Sequence, residues 1–427
     1  MKKSAWYEKL YFAGLLLVVI TLPFAKHYNS WMVGVVIAGW LAEGRFREKW
    51  QRLKSHSWWW GALAYYLLHT VALAYTENLA LGGFILEKKT GLWLLPMLIS
   101  SGPVVSPLQL KQLLRAFAGA VTLGLIYCLI RAGVEWDFAG NTQLFFHHNL
   151  SNFIGMHAIY LSAFVLLSLL GIGQWMLEAN KTKIQTGLLI TWAAFLIFCL
   201  LLLASKIMII NLLVLGSIAA LVGFSRRGSA RKGIAVTLGM LLLAITIILA
   251  LPETRKRFQS VWDGQFEVVT MDHYVYSTPF NGLTLRLVIW RLGLEAMHEE
   301  KAWLGGLGPG DVQATMDSTY RESGLYVGNP DIGDHGYLGY NLHNQYLETL
   351  ASIGIVGLLV LLIWWGALFF WAWKQRKWIA FLFLATIASF SLSESTLETH
   401  HGTLLVAFWG SLLLVTPKIS DSLPSKN

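Results

Sequence analysis

The feature that most constrains this chain is a succession of apolar runs, most of them long enough to cross a bilayer, separated by short polar breaks. A hydrocarbon core of about 30 Å takes roughly 20 apolar residues as a helix. On that measure spans are expected near 10–25, 28–43, 57–76, 91–102, 110–132, 152–176, 184–204, 206–224, 233–251, 345–373, 378–393 and 401–416. The fourth is short, and Leu79–Leu86 before it either completes it or lies at the interface. Lipid leaves only helices and closed barrels able to satisfy their backbones, and a barrel would alternate rather than run solid, so the spans are helices. Composition agrees: only 13% of the 427 residues are charged and mean hydropathy is +0.54, too little polarity to cover a soluble surface.

The basic residues orient the spans. With the N-terminus inside, the cytoplasmic pieces hold Lys2, Lys3 and Lys9; Arg45, Arg47, Lys49, Arg52 and Lys54; Lys111 and Arg115; Lys181 and Lys183; Arg226, Arg227, Arg231 and Lys232; Lys374, Arg376 and Lys377; Lys418 and Lys426. These are 21 of the 33 Lys plus Arg, the bias that the positive-inside rule asks for, so both termini are expected in the cytoplasm of a multi-pass inner-membrane protein. The start resembles a signal sequence but shows no small-x-small cleavage site, so it is read as an uncleaved first span. The net charge of +9 is thereby a topology signal, and no basic domain stands apart to bind nucleic acid. Cys128 and Cys199 lie in apolar runs and offer no thiolate metal site.

Three divisions follow: a nine-span bundle over 1–251, a long outer segment over 252–342, and three further spans over 343–427. The spans are nearly free of ionisable groups. His69, His157 and Asn211 sit inside them, where a hydrogen bond to a neighbouring helix is the plainer reading. Without charged residues near the midplane, a transporter is disfavoured. Polar residues collect on the outer side instead: His147, His148 and Asn149 before the sixth span, Lys206, Glu394, Glu398, His400 and His401, and much of the long segment. Within it, Leu283, Leu287, Trp290 and Leu294 recur at helical spacing, predicting a helix from Leu283 to His298. Residues 304–310 (Leu-Gly-Gly-Leu-Gly-Pro-Gly) lack GxGxxG and a Walker lysine, so they read as a turn that doubles the chain back rather than a nucleotide loop. Asp331, Asp334, His335 and His343 include ligand types, but glycines 333 and 336 break any shared helical face; no metal or other cofactor is expected.

The motifs from Arg286 to Gly357 carry a resemblance. His343-Asn344 followed after nine residues by Gly354-Ile-Val-Gly357, and upstream Arg286-Leu-Val-Ile-Trp290 with Trp303-Leu-Gly-Gly-Leu-Gly-Pro-Gly310, resemble the O-antigen ligase and Wzy-type polymerase superfamily. The resemblance implies an all-α polytopic fold of about twelve helices, a variant of the membrane glycosyltransferase C-type fold with one large periplasmic segment. It implies transfer of a glycan from undecaprenyl diphosphate to a sugar hydroxyl of lipid A–core, or, in polymerases and protein-glycosylating relatives, to another acceptor. A lipid-linked glycan transporter is the non-enzyme alternative. A single outer segment of this length leans toward the ligase.

Such a reaction needs a base at the acceptor hydroxyl and cations for the departing diphosphate. His343 fits as the base, or as a hydrogen-bond partner of the diphosphate. Arg286, then Lys206, fit as phosphate clamps; Arg291 is about 140° around the helix from Arg286 and fits less well. Relatives commonly carry Ser-Arg where this chain has Ser205-Lys206, so the charge stays and the planar fork is lost. Asn344 and His148 are candidates for the acceptor cleft. Glu398 resembles a glutamate before the last span in relatives and would orient a cation. The expected partners are the undecaprenyl-diphosphate-linked glycan, lipid A–core and membrane lipids.

Overall fold

A computed structural model describes residues 5–24, 26–178, 181–226 and 228–417. Lys2, Lys3, Arg227, Lys418 and Lys426 therefore lie outside the described residues, as does the last residue of the first expected span. Among the described residues the regular structure is helical, with one isolated bridge between Asn329 and Asp334. In chain order the helices are α1 (Trp6–Thr21), α2 (Lys26–Ala42), α3 (Phe46–Lys54), α4 (Trp58–Ala72), α5 (Leu79–Lys89), α6 (Gly91–Ser101), α7 (Pro107–Ala139), α8 (His147–Ser151) and α9 (Ala158–Met176). They continue as α10 (Lys183–Leu202), α11 (Lys206–Ser225), α12 (Ala230–Ala250), α13 (Pro252–Trp262), α14 (Thr284–Glu299), α15 (Val312–Glu322), α16 (Gln345–Lys374), α17 (Trp378–Phe390) and α18 (His400–Val415).

Six of them, α7, α9, α10, α11, α12 and α16, are long and apolar enough to cross a membrane, and the chain is a polytopic membrane protein. Of the others, α4, α6 and α17 are shorter than the apolar runs suggested. The run 57–76 yields only Trp58–Ala72, and Leu79–Lys89 is a helix of its own, separate from the eleven-residue α6. The run 152–176 starts its helix at Ala158, because Gly155 takes a left-handed φ of 64° and breaks the chain after a short 3-10 turn. His157 therefore precedes the helix rather than lying within it. Asn211 accepts from Ser389 across to α17 at 2.8 Å, as the plainer reading anticipated, whereas His69 is buried with Nδ1 on the Tyr65 carbonyl of its own helix at 2.9 Å.

Polar contacts at one end tie the helix termini together. Arg52 reaches Glu43 and the Gly102 carbonyl, each at 2.8 Å; Lys111 and Arg115 meet Glu178 at 2.9 and 3.2 Å; Lys377 donates to the Leu414 carbonyl. At the opposite end the 252–342 segment packs its own small core, from Tyr274, Val288, Ile289 and Leu292 to Met316 and Tyr320, against Leu350 and Ala351 of α16. Two of its helices, α13 and α15, went unread in the sequence; α13 opens on Pro252, which suits a first helical position.

The glycine turn at 304–310 locks this segment onto the bundle. Helix α16 is broken at Ile353 and Gly354, where Gly354 has φ 66°. The turn enters that break: Leu307 and Gly308 donate to the Ala351 and Ser352 carbonyls at 2.7 and 3.1 Å, and Ile355 donates to the Trp303 carbonyl at 2.9 Å. A Cβ on Gly306 would collide with the Ile353–Gly354 backbone, and one on Gly354 with the Leu304 carbonyl. On the other side, Asp311 accepts from the Glu77 and Asn78 amides at 2.7 and 2.9 Å, fastening the turn to the α4–α5 connection. The glycines exist for close backbone approach.

Candidate active site

Three elements that are distant in sequence bring one cation each to the segment-bearing end of the bundle. Lys206 opens α11, Arg257 lies on α13, and Arg286 lies in the first turn of α14. Hydrogen bonds knit the three together. Asn281 caps α14 by accepting from Leu283 and Thr284 at 2.7 and 3.0 Å, and its amide donates to the Ser260 carbonyl of α13 at 2.7 Å. The Ser260 hydroxyl in turn accepts from Lys206 at 3.4 Å. All three cations are half-buried. Among the described residues none has a carboxylate at ion-pair distance, and the Nε atoms of both arginines are buried without a partner. Burial lowers the pKa of Arg286, and burial followed by the Arg286 charge lowers that of Arg257.

His343 lies beside this group. Its Nδ1 is 3.3 Å from Glu394 Oε1, on the loop between α17 and α18. Burial raises the Glu394 pKa, but the His343 hydrogen bond and the charges of His343, His157 and Arg286 outweigh it and hold the carboxylate below its ordinary value. The Arg286-x-x-x-Trp290 spacing now has a mechanical meaning. Trp290 Nε1 donates to the Leu342 carbonyl at 2.8 Å, pinning α14 to the residue before His343, and Arg286 sits one turn earlier on that face. Asn344 caps α16, accepting from the Tyr346 and Leu347 amides at 3.0 and 3.2 Å.

The third wall is imidazole. His147, His148 and His157 stack edge to face with ring centroids 3.9 and 3.7 Å apart, and His147 Nε2 accepts from Arg257 Nη2 at 2.9 Å. Burial, then the Arg257 charge and the neighbouring histidines, push the His147 pKa down to about 2; burial, then His157, push His148 down to about 4. Both are neutral near pH 7. His148, Asn149, Asn152, Met156 and His157 line a cleft of about 390 Å³, a volume usual for small-molecule sites.

Three of the six non-glycine residues with positive φ among the described residues lie here. His147, His343 and Ala204, just ahead of Ser205-Lys206, hold left-handed φ values of 50°, 44° and 48° without being glycine. Such conformations cost about 1–2 kcal/mol each and cluster at working sites.

Two candidates lie elsewhere. Arg291 turns to the far face of α14, donating to the Met271 carbonyl at 2.6 Å and the Tyr274 hydroxyl at 3.0 Å, with Glu295 at 3.5 Å. Its place 140° from Arg286 is the reason. Glu398 does orient a cation, but that cation is Lys89 of α5; Gln345 donates to the same carboxylate at 3.2 Å, within a buried network that includes Tyr65 and Thr349. Asp334 accepts from Tyr326 and the Gly336 amide at 2.6 and 2.9 Å and shapes a turn. Sequence reasoning passed over Glu394 and Arg257, which it counted among outer polar residues without a role; the one signal for Glu394 was an acidic residue in a short loop facing the His343 mouth.

No curated protein matches the chain. Residues 192–362, the stretch that carries Lys206, Arg257, Arg286 and His343, match the family model described as O-Antigen ligase, and this match supports assigning the chain to the O-antigen ligase family.

Proposed function

We propose that this protein moves a glycan polymer from undecaprenyl diphosphate onto a sugar hydroxyl of lipid A–core. The family match supports the coarse part of this reading, ligase or related polymerase activity in a membrane glycosyltransferase-like enzyme. In this reading all twelve apolar runs cross the inner membrane in a variant of the membrane glycosyltransferase C-type fold. Residues 1–251 and 343–427 form the bundle, 252–342 lie in the periplasm, and both termini are cytoplasmic. The clustering of basic ends opposite the long segment supports that orientation.

One observation carries the chemistry: a carboxylate-paired histidine stands beside a group of cations that, among the described residues, have no carboxylate at ion-pair distance. With Nδ1–H directed at Glu394, the His343 Nε2 keeps its lone pair, and the carboxylate stabilises the imidazolium formed when Nε2 takes a proton. The acceptor hydroxyl loses that proton as its oxygen bonds to the anomeric carbon. The bond from that carbon to the diphosphate oxygen breaks, and the electron pair leaves on the diphosphate. Arg286 and Lys206 stabilise the departing charge, so the scheme is drawn without a metal. The cleft at His148 takes the acceptor sugar, with Asn344 holding the α16 mouth in place.

Gene deletion followed by a lipopolysaccharide gel tests the reading. The ligase predicts loss of all polymer on lipid A–core while polymer accumulates on the carrier lipid, restored by the wild-type chain and not by a stably inserted Arg286→Ala variant. A ladder reduced to a single repeat means a polymerase instead. Unchanged polymer on lipid A–core contradicts both.

A further inference from the structure

Lys206 brings a point charge and no planar fork to the phosphate site read above, yet the structure brings a guanidinium into the same group from another element. We propose that Arg257 is a third diphosphate-binding cation, presented by His147, and that it supplies the fork that Lys206 lacks. The inference rests on the proposed reading of the site as a diphosphate clamp.

Three observations converge on it. First, Arg257 lies close enough to both Arg286 and Lys206 to act on their charges, and the Ser260 hydroxyl that receives the Lys206 ammonium also donates to the Arg257 carbonyl at 2.9 Å. Half-buried like charges repel one another; the charge of Glu394 acts on Arg286, but among the described residues no carboxylate lies at ion-pair distance from any of the three. An anion with more than one charge, such as a diphosphate, does.

Second, the partner of Arg257 orients it without neutralising it. His147 Nε2 accepts from Nη2 at 2.9 Å, and a neutral imidazole fixes the guanidinium plane while leaving its whole positive charge for a ligand. A carboxylate in that place would have quenched the site. The Arg257 Nε, buried and without a partner, remains to donate. Third, His147 holds a left-handed backbone at φ 50°, as Arg45, Lys301 and Arg376 do elsewhere, and here the residue so held has its imidazole on Arg257.

The same chemistry would attract a phospholipid head group, so the test separates the two sources. The full-length protein is reconstituted in vesicles, and donor concentration is varied for wild type, R255A, R257A, R257K, K206R/R257K and R286A, with and without anionic phospholipid. R255A removes an exposed charge one turn-half away on α13 and is expected to behave as wild type. R257A is expected to lower kcat/KM for the donor about ten- to a hundredfold, whatever the anionic lipid content. R257K is expected to fall between, and K206R/R257K to recover activity over R257K because the fork returns on α11. Should R257A prove unstable, the R257K and K206R/R257K pair carries the test. Wild-type donor kinetics in R257A beside an inactive R286A overturns the inference and leaves the site reading standing. Active R286A overturns the site reading itself. A defect in R257A that appears only with anionic phospholipid, or no gain in K206R/R257K, also overturns the inference.

Discussion

At the residue scale, the histidines divide by partner. His343 has a carboxylate and is set up to carry a proton, whereas His147 and His148 face cations and one another and are held neutral. That difference makes stability depend on pH in a definite direction. A histidine whose folded pKa lies below the ordinary 6.5 binds fewer protons folded than unfolded. Its contribution is therefore complete above about pH 6.5 and is lost as the pH falls toward about 4 for His148. Glu394, depressed instead, contributes fully at any pH above the ordinary carboxylate range, so it adds no slope between pH 7.5 and 5. Thermal unfolding of the solubilised protein is expected to show a falling Tm across that window, with a shallower slope in His148→Gln. An identical slope in the variant would mean that the imidazole is not held neutral. Sequence showed that these histidines sit together; it did not show which are paired with charge, because the partners come from α13 and from the α17–α18 loop.

At the element scale, two features were legible in kind and one in place. The helix around Arg286 was read to within a residue of its bounds, since Leu283, Leu287, Trp290 and Leu294 mark an unambiguous period. The glycine turn was read as a device for doubling back, but its seat in the break of α16 depends on residues more than forty positions later. The Gly354 of the His343–Gly357 motif and the glycines of the turn are thus halves of one contact. Gly354→Ala and Gly333→Ala both place a Cβ at a positive φ, 66° and 70°, and Gly354, with ψ −169°, lies in a region that only glycine adopts readily. Only Gly354 also meets a neighbour, the Leu304 carbonyl, while Gly333 faces open space. Gly354→Ala is expected to lower Tm by clearly more than Gly333→Ala, because the glycine-only backbone and the collision with the turn add together. Equal losses would show that the turn does not hold the segment to α16. Helix starts were less legible where glycines intervene, as at Gly155, because hydropathy continues through a break that backbone geometry enforces.

At the scale of the whole molecule, apolar runs and their flanking charges were enough to place each candidate residue at the same end of the bundle. What they did not supply was neighbourhood. Arg286 and His343 are adjacent because Trp290 bridges them, and Lys206 joins because Asn281 and Ser260 link α14, α13 and α11. Glu398, legible by resemblance, turned out to serve the buried Lys89 network under the α16 mouth, and Glu394 took the place beside the base. The central claim is that the His343–Glu394 pair beside these cations drives glycan transfer. The most direct measurement is the transfer of polymer from its diphosphate-linked carrier to lipid A–core by purified His343→Asn in vesicles. Asparagine tolerates the left-handed backbone, so the variant removes the imidazole while sparing the fold. Turnover is expected to fall about a hundredfold or more in a variant that remains folded; turnover within a few-fold of wild type would remove the imidazole from the reaction.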